Sequence, residues 1–164
     1  MIAARVVASG LIIMSTTTLA ADSVQLRPGR WIETAIAESA MMNGKPIELP
    51  RAGPQTKHVC LTIAEAADPK LYFATVKNKD RCGMPTGSVN AGRIALVGKC
   101  TNGGKSETPS EIAIDGSYGG EAYAAKARMK TDMDGQAMTV VISVNGRFDG
   151  ACHGDEEKHG DTSK

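Results

Sequence analysis

Four cysteines, Cys60, Cys82, Cys100 and Cys152, are the residues whose chemistry is best defined by number and spacing. An even set reads as paired thiols in an oxidising compartment. No two stand in a CxxC spacing, which argues against both a zinc site and a thioredoxin-like redox pair. The histidines, His58, His153 and His159, are scattered. His153 and His159, with Asp155, Glu156 and Glu157, offer donors to a divalent cation, but a flexible tail gives them no fixed geometry. Met41, Met42, Met84, Met129, Met133 and Met138 raise Cu(I), which prefers thioethers, although most occupy strand or turn positions where Met fills gaps. A hydrolase or metal-dependent enzyme would require His58 to meet a carboxylate or a metal in a cleft. No GxSxG elbow or SxxK pair occurs. Gly103-Gly104 and Gly119-Gly120 read as turn glycines, since neither opens a helix after a strand as a phosphate cradle does. No catalytic residue, metal ligand or cofactor is assigned on these grounds, and the reading leans away from an enzyme.

The compartment follows from the first twenty residues. They carry one charge, Arg5, then an apolar stretch from Val6 to Met14, then small and polar residues ending in Thr18-Leu19-Ala20. That is the pattern of a secretory signal cut after Ala20, with Ala21 as the near alternative. The apolar stretch falls short of the roughly 20 residues a spanning helix needs. No later segment is apolar enough to cross a bilayer, and no Cys near residue 20 offers a lipid anchor. A periplasmic protein without a transmembrane segment is expected. Basic and acidic residues number 19 and 18, so neither a nucleic-acid partner nor strong electrostatic steering is supported.

Length and pattern predict one domain, 21–153, followed by a charged and disordered tail, 154–164. A first strand is expected from Arg30 to Ala40, followed by an extended rim loop from Met41 to Pro54, where Asn43-Gly44, Pro46, Pro50, Gly53 and Pro54 cluster. Gln55 to Leu61 reads as a second strand returning beside the first. Thr62 and Glu65 form a capping box for a short helix from Ile63 to about Ala67, stopped by Asp68-Pro69. Residues 70–78 fit either helix or strand.

Between Cys82 and Cys100, Asn90-Ala91-Gly92 suits a three-residue hairpin loop that sets Val89 opposite Arg93 and, in the same register, Cys82 opposite Cys100. Those two would then bond, leaving Cys60 to bond Cys152. Asn102-Gly103-Gly104 makes another turn, and Ile112 and Ile114 share a face of the next strand. A four-residue loop over Ser117 to Gly120 would set Ile114 opposite Tyr123. Asp134-Gly135 is a two-residue turn that sets Met129 opposite Val140, Ala127 opposite Ile142 and Ala125 opposite Val144. The expected architecture is all-β with one or two short helices. It is an antiparallel meander of about seven strands, curled into a small barrel or half-barrel because Cys60 must reach Cys152, with an open curved sheet covered by the helix as the alternative.

These landmarks, taken in order, resemble a family. Pro28-Gly29-Arg30-Trp31 opens a strand and Cys60-Leu61-Thr62 precedes a helix. Cys82 and Cys100 follow, then Asp115-Gly116-Ser117-Tyr118-Gly119-Gly120, Gly146-Arg147 and Gly150-Ala151-Cys152. Over residues 26–152 the chain resembles the bacterial exported proteins called domain of unknown function 3617. Arg30 stands where an aliphatic residue is expected in that pattern. The resemblance implies a periplasmic setting in a Gram-negative bacterium and supplies no catalytic residues.

The functional expectation is a non-enzymatic binding or scaffold module for a small apolar ligand or an envelope protein. Trp31, Ile112, Ile114, Tyr123, Met129, Val140 and Ile142 form its candidate surface and the loop 41–54 a possible gate. The same residues serve equally as plain core, since a chain of this size needs most of its large apolar side chains to fold. The alternative is a cell-envelope hydrolase or a copper-binding protein using His58 or the Met and His side chains.

Overall fold

Trp31 and Glu33 occupy alternate positions of β1 (Gly29–Met42), so both point to one side of the sheet, and both are buried there. The protein is seen here as a computed structural model that describes residues 24–49, 53–74, 82–101, 109–133 and 135–158. The proposed signal, 1–20, the turn at 102–104 and residues 75–78 of the ambiguous segment lie outside the described residues.

At the end of β1 the chain reverses through Asn43 and Gly44, at φ 50° and 76°, into β2 (Lys45–Ile47). Both values are left-handed, the requirement of a two-residue primed turn. The extended loop expected from Met41 is thus a tight hairpin through Ile47. Asn43-Gly44 decides the matter locally, before the prolines act. β3 (Gln55–Leu61) runs back along the same edge of β1 as β2, with Trp31 opposite Val59. The capping box is present: the Glu65 amide donates to Thr62 Oγ1 at 3.2 Å and the Thr62 amide to Glu65 Oε2 at 2.9 Å. It opens α1 (Ile63–Ala67). Pro69 ends that helix and starts α2 (Pro69–Phe73), whose first turn is capped by the Asp68 carboxylate. Residues 70–73 are therefore helical.

The remaining strands are β4 (Thr86–Asn90), β5 (Arg93–Cys100), β6 (Ser110–Tyr118), β7 (Ala122–Met133), β8 (Gln136–Gly150) and β9 (Glu157–Lys158). Their order in the sheet is β4-β5-β6-β7-β8-β1-β3-β9, with β2 beside β1; among the described strands only the β3–β9 pair is parallel. Of the tail expected to be disordered from Gly154, Glu157 and Lys158 pair with β3, whereas 159–164, with His159, lie outside the described residues.

Register separates the sound expectations from the faulty ones. β7 and β8 pair as expected, with Met129 opposite Val140, Ala127 opposite Ile142 and Ala125 opposite Val144. Between β4 and β5 the loop is two residues, Ala91-Gly92, with φ 46° and 76°, so Asn90 faces Arg93 and Val89 faces Ile94. The expected three-residue loop is wrong because Ala91 accepts a left-handed backbone. Cys82 nonetheless faces Cys100 as an isolated bridge, one residue out of step with the hairpin. Between β6 and β7 the four-residue loop lies two positions later than expected: Tyr118 faces Tyr123 and Ile114 faces Ala127. Tyr118 stays in the strand because its ring is buried in the core. The displacement is even, so every side chain keeps its expected face.

The disulfides are Cys60–Cys152 and Cys82–Cys100, and no described cysteine is free. The sheet is not closed into a barrel. The expected closure assumed that a Cys60–Cys152 bond must draw the two sheet edges together. In fact β1 lies between β8 and β3, so the bond spans neighbours of one strand, at a Cα separation of 5.7 Å, and leaves the edges apart. The open sheet carries α1 and α2 against one face.

All six aromatic side chains of the chain meet under that cover. Trp31 packs on Tyr123 and Phe148 at centroid distances of 5.7 and 6.1 Å. Phe73 packs on Tyr72, Tyr118 and Tyr123 at 5.1, 5.9 and 5.1 Å. Leu26, Val59, Leu61, Ala66, Ile94 and Leu96 complete the core. Each fully buried side chain of this size stabilises by about 1.5–3 kcal/mol, so this half of the inner face holds the fold together.

Candidate functional site

Three places concentrate chemistry: a buried acid under the helices, a cleft on the opposite, outer face, and a cluster after β8. Glu33 is the acid, only 6% exposed. Its Oε1 accepts hydrogen bonds from the Tyr72 and Tyr123 hydroxyls, and Lys57 Nζ, from the neighbouring strand β3, lies 2.6 Å from its Oε2. Burial opposes ionisation of Glu33, but the hydrogen bonds from Lys57, Tyr123 and Tyr72 together outweigh it and hold the carboxyl below its ordinary value. Burial pushes the Tyr72 phenol far up, helped by the neighbouring Tyr123 and the negative charge of Glu33. Tyr123 is likewise pushed up by burial and by Glu33. A phenol held protonated beside a filled carboxylate is a poor base, so the cluster is suited to holding α2 on the sheet. Gly146 lets Tyr123 reach it, since a Cβ there would lie 2.0 Å from the Tyr123 ring.

The cleft lies across β5, β6 and β7 and encloses about 540 Å³. Val97 and Ala113 form its floor, at facing positions of β5 and β6. Gly83, Met84 and Thr86 wall one side, carried there by the residues that follow Cys82. Lys99, Glu111, Arg128 and Lys130 supply its charge. Lys99, Glu111 and Lys130 stand in one cross-strand row, and Val97, Ala113 and Arg128 in the next. Met84 and Val97 are 67% and 56% exposed, which is uncommon for large apolar side chains that meet at one depression. On the inner side of the same strands a space of about 80 Å³ lies between Phe73, Leu96, Ile114 and the Cys82–Cys100 bridge. It is too small for an organic ligand.

A third cluster brings donor atoms of His153, Asp155 and Glu156 within 4.8 Å of one another. Arg30 already supplies the cation there: its Nη1 donates to His153 Nδ1 at 2.9 Å and lies 3.9 Å from Asp155, and its Nε is 3.2 Å from Asp149. Both Glu156 oxygens accept backbone amides, from His153 and Gly154 at 2.7 and 2.8 Å. These bonds fold the segment after β8 back on itself. The Arg30 side chain takes an outer-face position, 14% exposed, where its charge serves the tail and does not disturb the core.

A family model described as a protein of unknown function, DUF3617, matches residues 26–152. The chain belongs to the DUF3617 family. No curated protein and no solved structure matches it.

Within this DUF3617 domain the residues expected to form a binding face divide. Trp31 and Tyr123 are buried in the aromatic core and Ile114 packs against it. Ile112, Met129, Val140 and Ile142 lie further along the same inner face and are partly buried. The structure therefore gives Trp31 and Tyr123 to the core, and of the seven only Ile112 lines the cleft. His58 is partly buried on the outer face opposite Ile32, with no ion pair or side-chain hydrogen bond among the described residues. Met42 faces Met138 in register on the inner side, where Met129 also lies, whereas Met41 and Met84 are on the outer side. The methionines thus do not share one face.

Sequence reasoning missed the Glu33 cluster and the cleft. A signal for the first was present: Glu33 stands two residues after Trp31 and so must point with it into the core. The cleft depends on Met84, which no periodic pattern places.

Proposed function

We propose that this DUF3617 protein works outside the cytoplasm as a non-enzymatic binding module, taking a small and largely apolar ligand in the cleft over β5–β7. The observation that carries this reading is the cleft itself. Its volume of about 540 Å³ falls in the range of about 300–1,000 Å³ typical of small-molecule sites. Exposed Met84 and Val97 form its apolar wall and floor. Export through residues 1–20, with cleavage after Ala20 and release into the periplasm, accords with the paired cysteines. The proposed unit is the domain 21–153, and the chemistry of the cleft suits carriage or sensing better than turnover, since none of its lining side chains is paired as nucleophile and base.

The test is titration of the purified, oxidised protein with the uncharged dye N-phenyl-1-naphthylamine. Saturable enhancement of emission at one site per chain is expected, with loss of that enhancement in Val97→Asp. Absence of a saturable signal, or full retention of it in Val97→Asp at unchanged thermal stability, would overturn the assignment of this cleft. Mass spectrometry of the exported protein reads the processing site in parallel.

A further inference from the structure

We infer that the ligand of the cleft is a single-chain amphiphile with an anionic head, its tail lying over Val97 and Ala113 and its head held by Arg128 and Lys130. This rests on the cleft being the binding site and adds the chemical class of its occupant. The two rows of side chains that cross the cleft differ in polarity: Lys99, Glu111 and Lys130 are charged throughout, whereas Val97, Ala113 and Arg128 run from apolar to cationic. On the β5 side the floor is Val97 and Ala113 under Met84. On the β7 side it ends in Arg128 and Lys130, two residues apart and therefore on one face of one strand. An elongated ligand lying along the Val97–Ala113–Arg128 row meets an apolar end first and a cationic end second, with Lys99 and Glu111 beside it in the charged row.

Charge gives the sign of the head. Among the described residues the cleft is lined by three cationic side chains, Lys99, Arg128 and Lys130, and one carboxylate, Glu111, although the chain as a whole carries only +1. None of these four makes an ion pair with another described residue. The neighbouring cation on the same face of β7 behaves differently: Lys126 is engaged by Glu38 at 2.8 Å. The sheet thus neutralises Lys126 from within and leaves Arg128 and Lys130 with donors to offer. A guanidinium and an ammonium at this spacing suit the oxygens of a carboxylate or phosphate, the first in a forked geometry and the second as a point charge.

Displacement of bound N-phenyl-1-naphthylamine by decanoate, decyl phosphate, decyltrimethylammonium and 1-decanol, all below their aggregation concentrations, tests the inference. A charge-assisted hydrogen bond contributes enough for about a tenfold change in affinity, so both anions should displace the dye at about tenfold lower concentration than the cation or the alcohol. The ratio of decanoate to decyl phosphate tells which head is preferred. The double variant Arg128→Glu with Lys130→Glu should lose the preference for anions, read as the ratio of decanoate to decyltrimethylammonium needed to displace half of the dye that the variant itself binds. Dye binding with no preference between decanoate and decyltrimethylammonium would overturn the anionic head while leaving the cleft intact. An unchanged preference in the double variant would overturn the placement of the head. Failure of the dye itself to bind would instead remove the reading on which the inference stands.

Discussion

Tyr72 of α2 and Tyr123 of β7 donate to the same carboxylate oxygen of Glu33, and their own hydroxyl oxygens lie 3.1 Å apart. One buried oxygen thereby joins the helical cover, the centre of the sheet and β1. The cluster is polar yet deep in the aromatic core, where an unmade hydrogen bond is expensive. Removing the acceptor leaves two phenols without their partner. Glu33→Ala should therefore lower stability by about 2–4 kcal/mol, read as a shift of the urea midpoint. Tyr72→Phe and Tyr123→Phe should each lower it by about 1 kcal/mol, because the acid keeps its other donors. A Glu33→Ala variant as stable as the parent would show that the cluster does not hold α2 in place.

The same carboxyl sets a pH dependence. Its folded value lies below its unfolded value of 4.5, so its contribution is fully present above pH 4.5 and is lost as pH falls through the lower folded value. Stability should stay level between neutral pH and about pH 5 and decline below it. In Glu33→Gln, which cannot ionise, that acid decline should be shallower. Identical acid limbs in parent and variant, measured by denaturant unfolding at several pH values, would remove Glu33 as a source of the dependence. Glu38 and Glu156, also held low, by Lys126 and by the His153 amide respectively, act in the same direction from exposed positions.

How far the fold is legible in the sequence varies with the range of the interaction that decides each part. Asp134-Gly135 and the Thr62–Glu65 box are local, and the β7–β8 register and the α1 start follow from them as expected. The Cys82–Cys100 pairing is right although the hairpin register that led to it is off by one residue; the short stretch Gly83–Pro85 absorbs the difference outside the strands. The position of β1 between β8 and β3 is a choice among distant strands, and no local pattern encodes it. That one non-local pairing, of β1 with β8, selects the open sheet covered by helices, the alternative to the expected barrel or half-barrel. The candidate site fared least well for the same reason: its wall, floor and cations come from four separated segments that only the register assembles.

The two disulfides should separate stability from binding. In the chain-entropy view a bridge closing 92 residues stabilises by about 4–5 kcal/mol and one closing 18 by about 3 kcal/mol. Cys60→Ser with Cys152→Ser should then lower the melting temperature more than Cys82→Ser with Cys100→Ser. Binding should follow the opposite order, because Cys82 anchors the Gly83–Thr86 wall of the cleft, whereas Cys60 and Cys152 join β3 to the end of β8, and neither strand lines it. Retention of dye binding in the Cys82/Cys100 variant would show that the wall is held by something other than that bridge.

Arg30 should hold the end of the domain. It reaches Asp149, His153 and Asp155 from β1, and the residues it holds include the turn in which Glu156 accepts the His153 and Gly154 amides. The Cys60–Cys152 bridge fixes the chain as far as residue 152 whatever happens at Arg30, so any release must begin at residue 153. In Arg30→Ala, hydrogen exchange at the His153 and Gly154 amides should rise by about tenfold or more, the loss of a charge-assisted bond being enough for that, while the amides between β1 and β8 keep their protection. Arg30→Lys should fall between the two, since an ammonium keeps the charge but cannot span three partners in a forked arrangement. Uniformly faster exchange through β1 would mean that the substitution unfolds the strand, and unchanged exchange at 153 and 154 would mean that the Glu156 turn stands without Arg30.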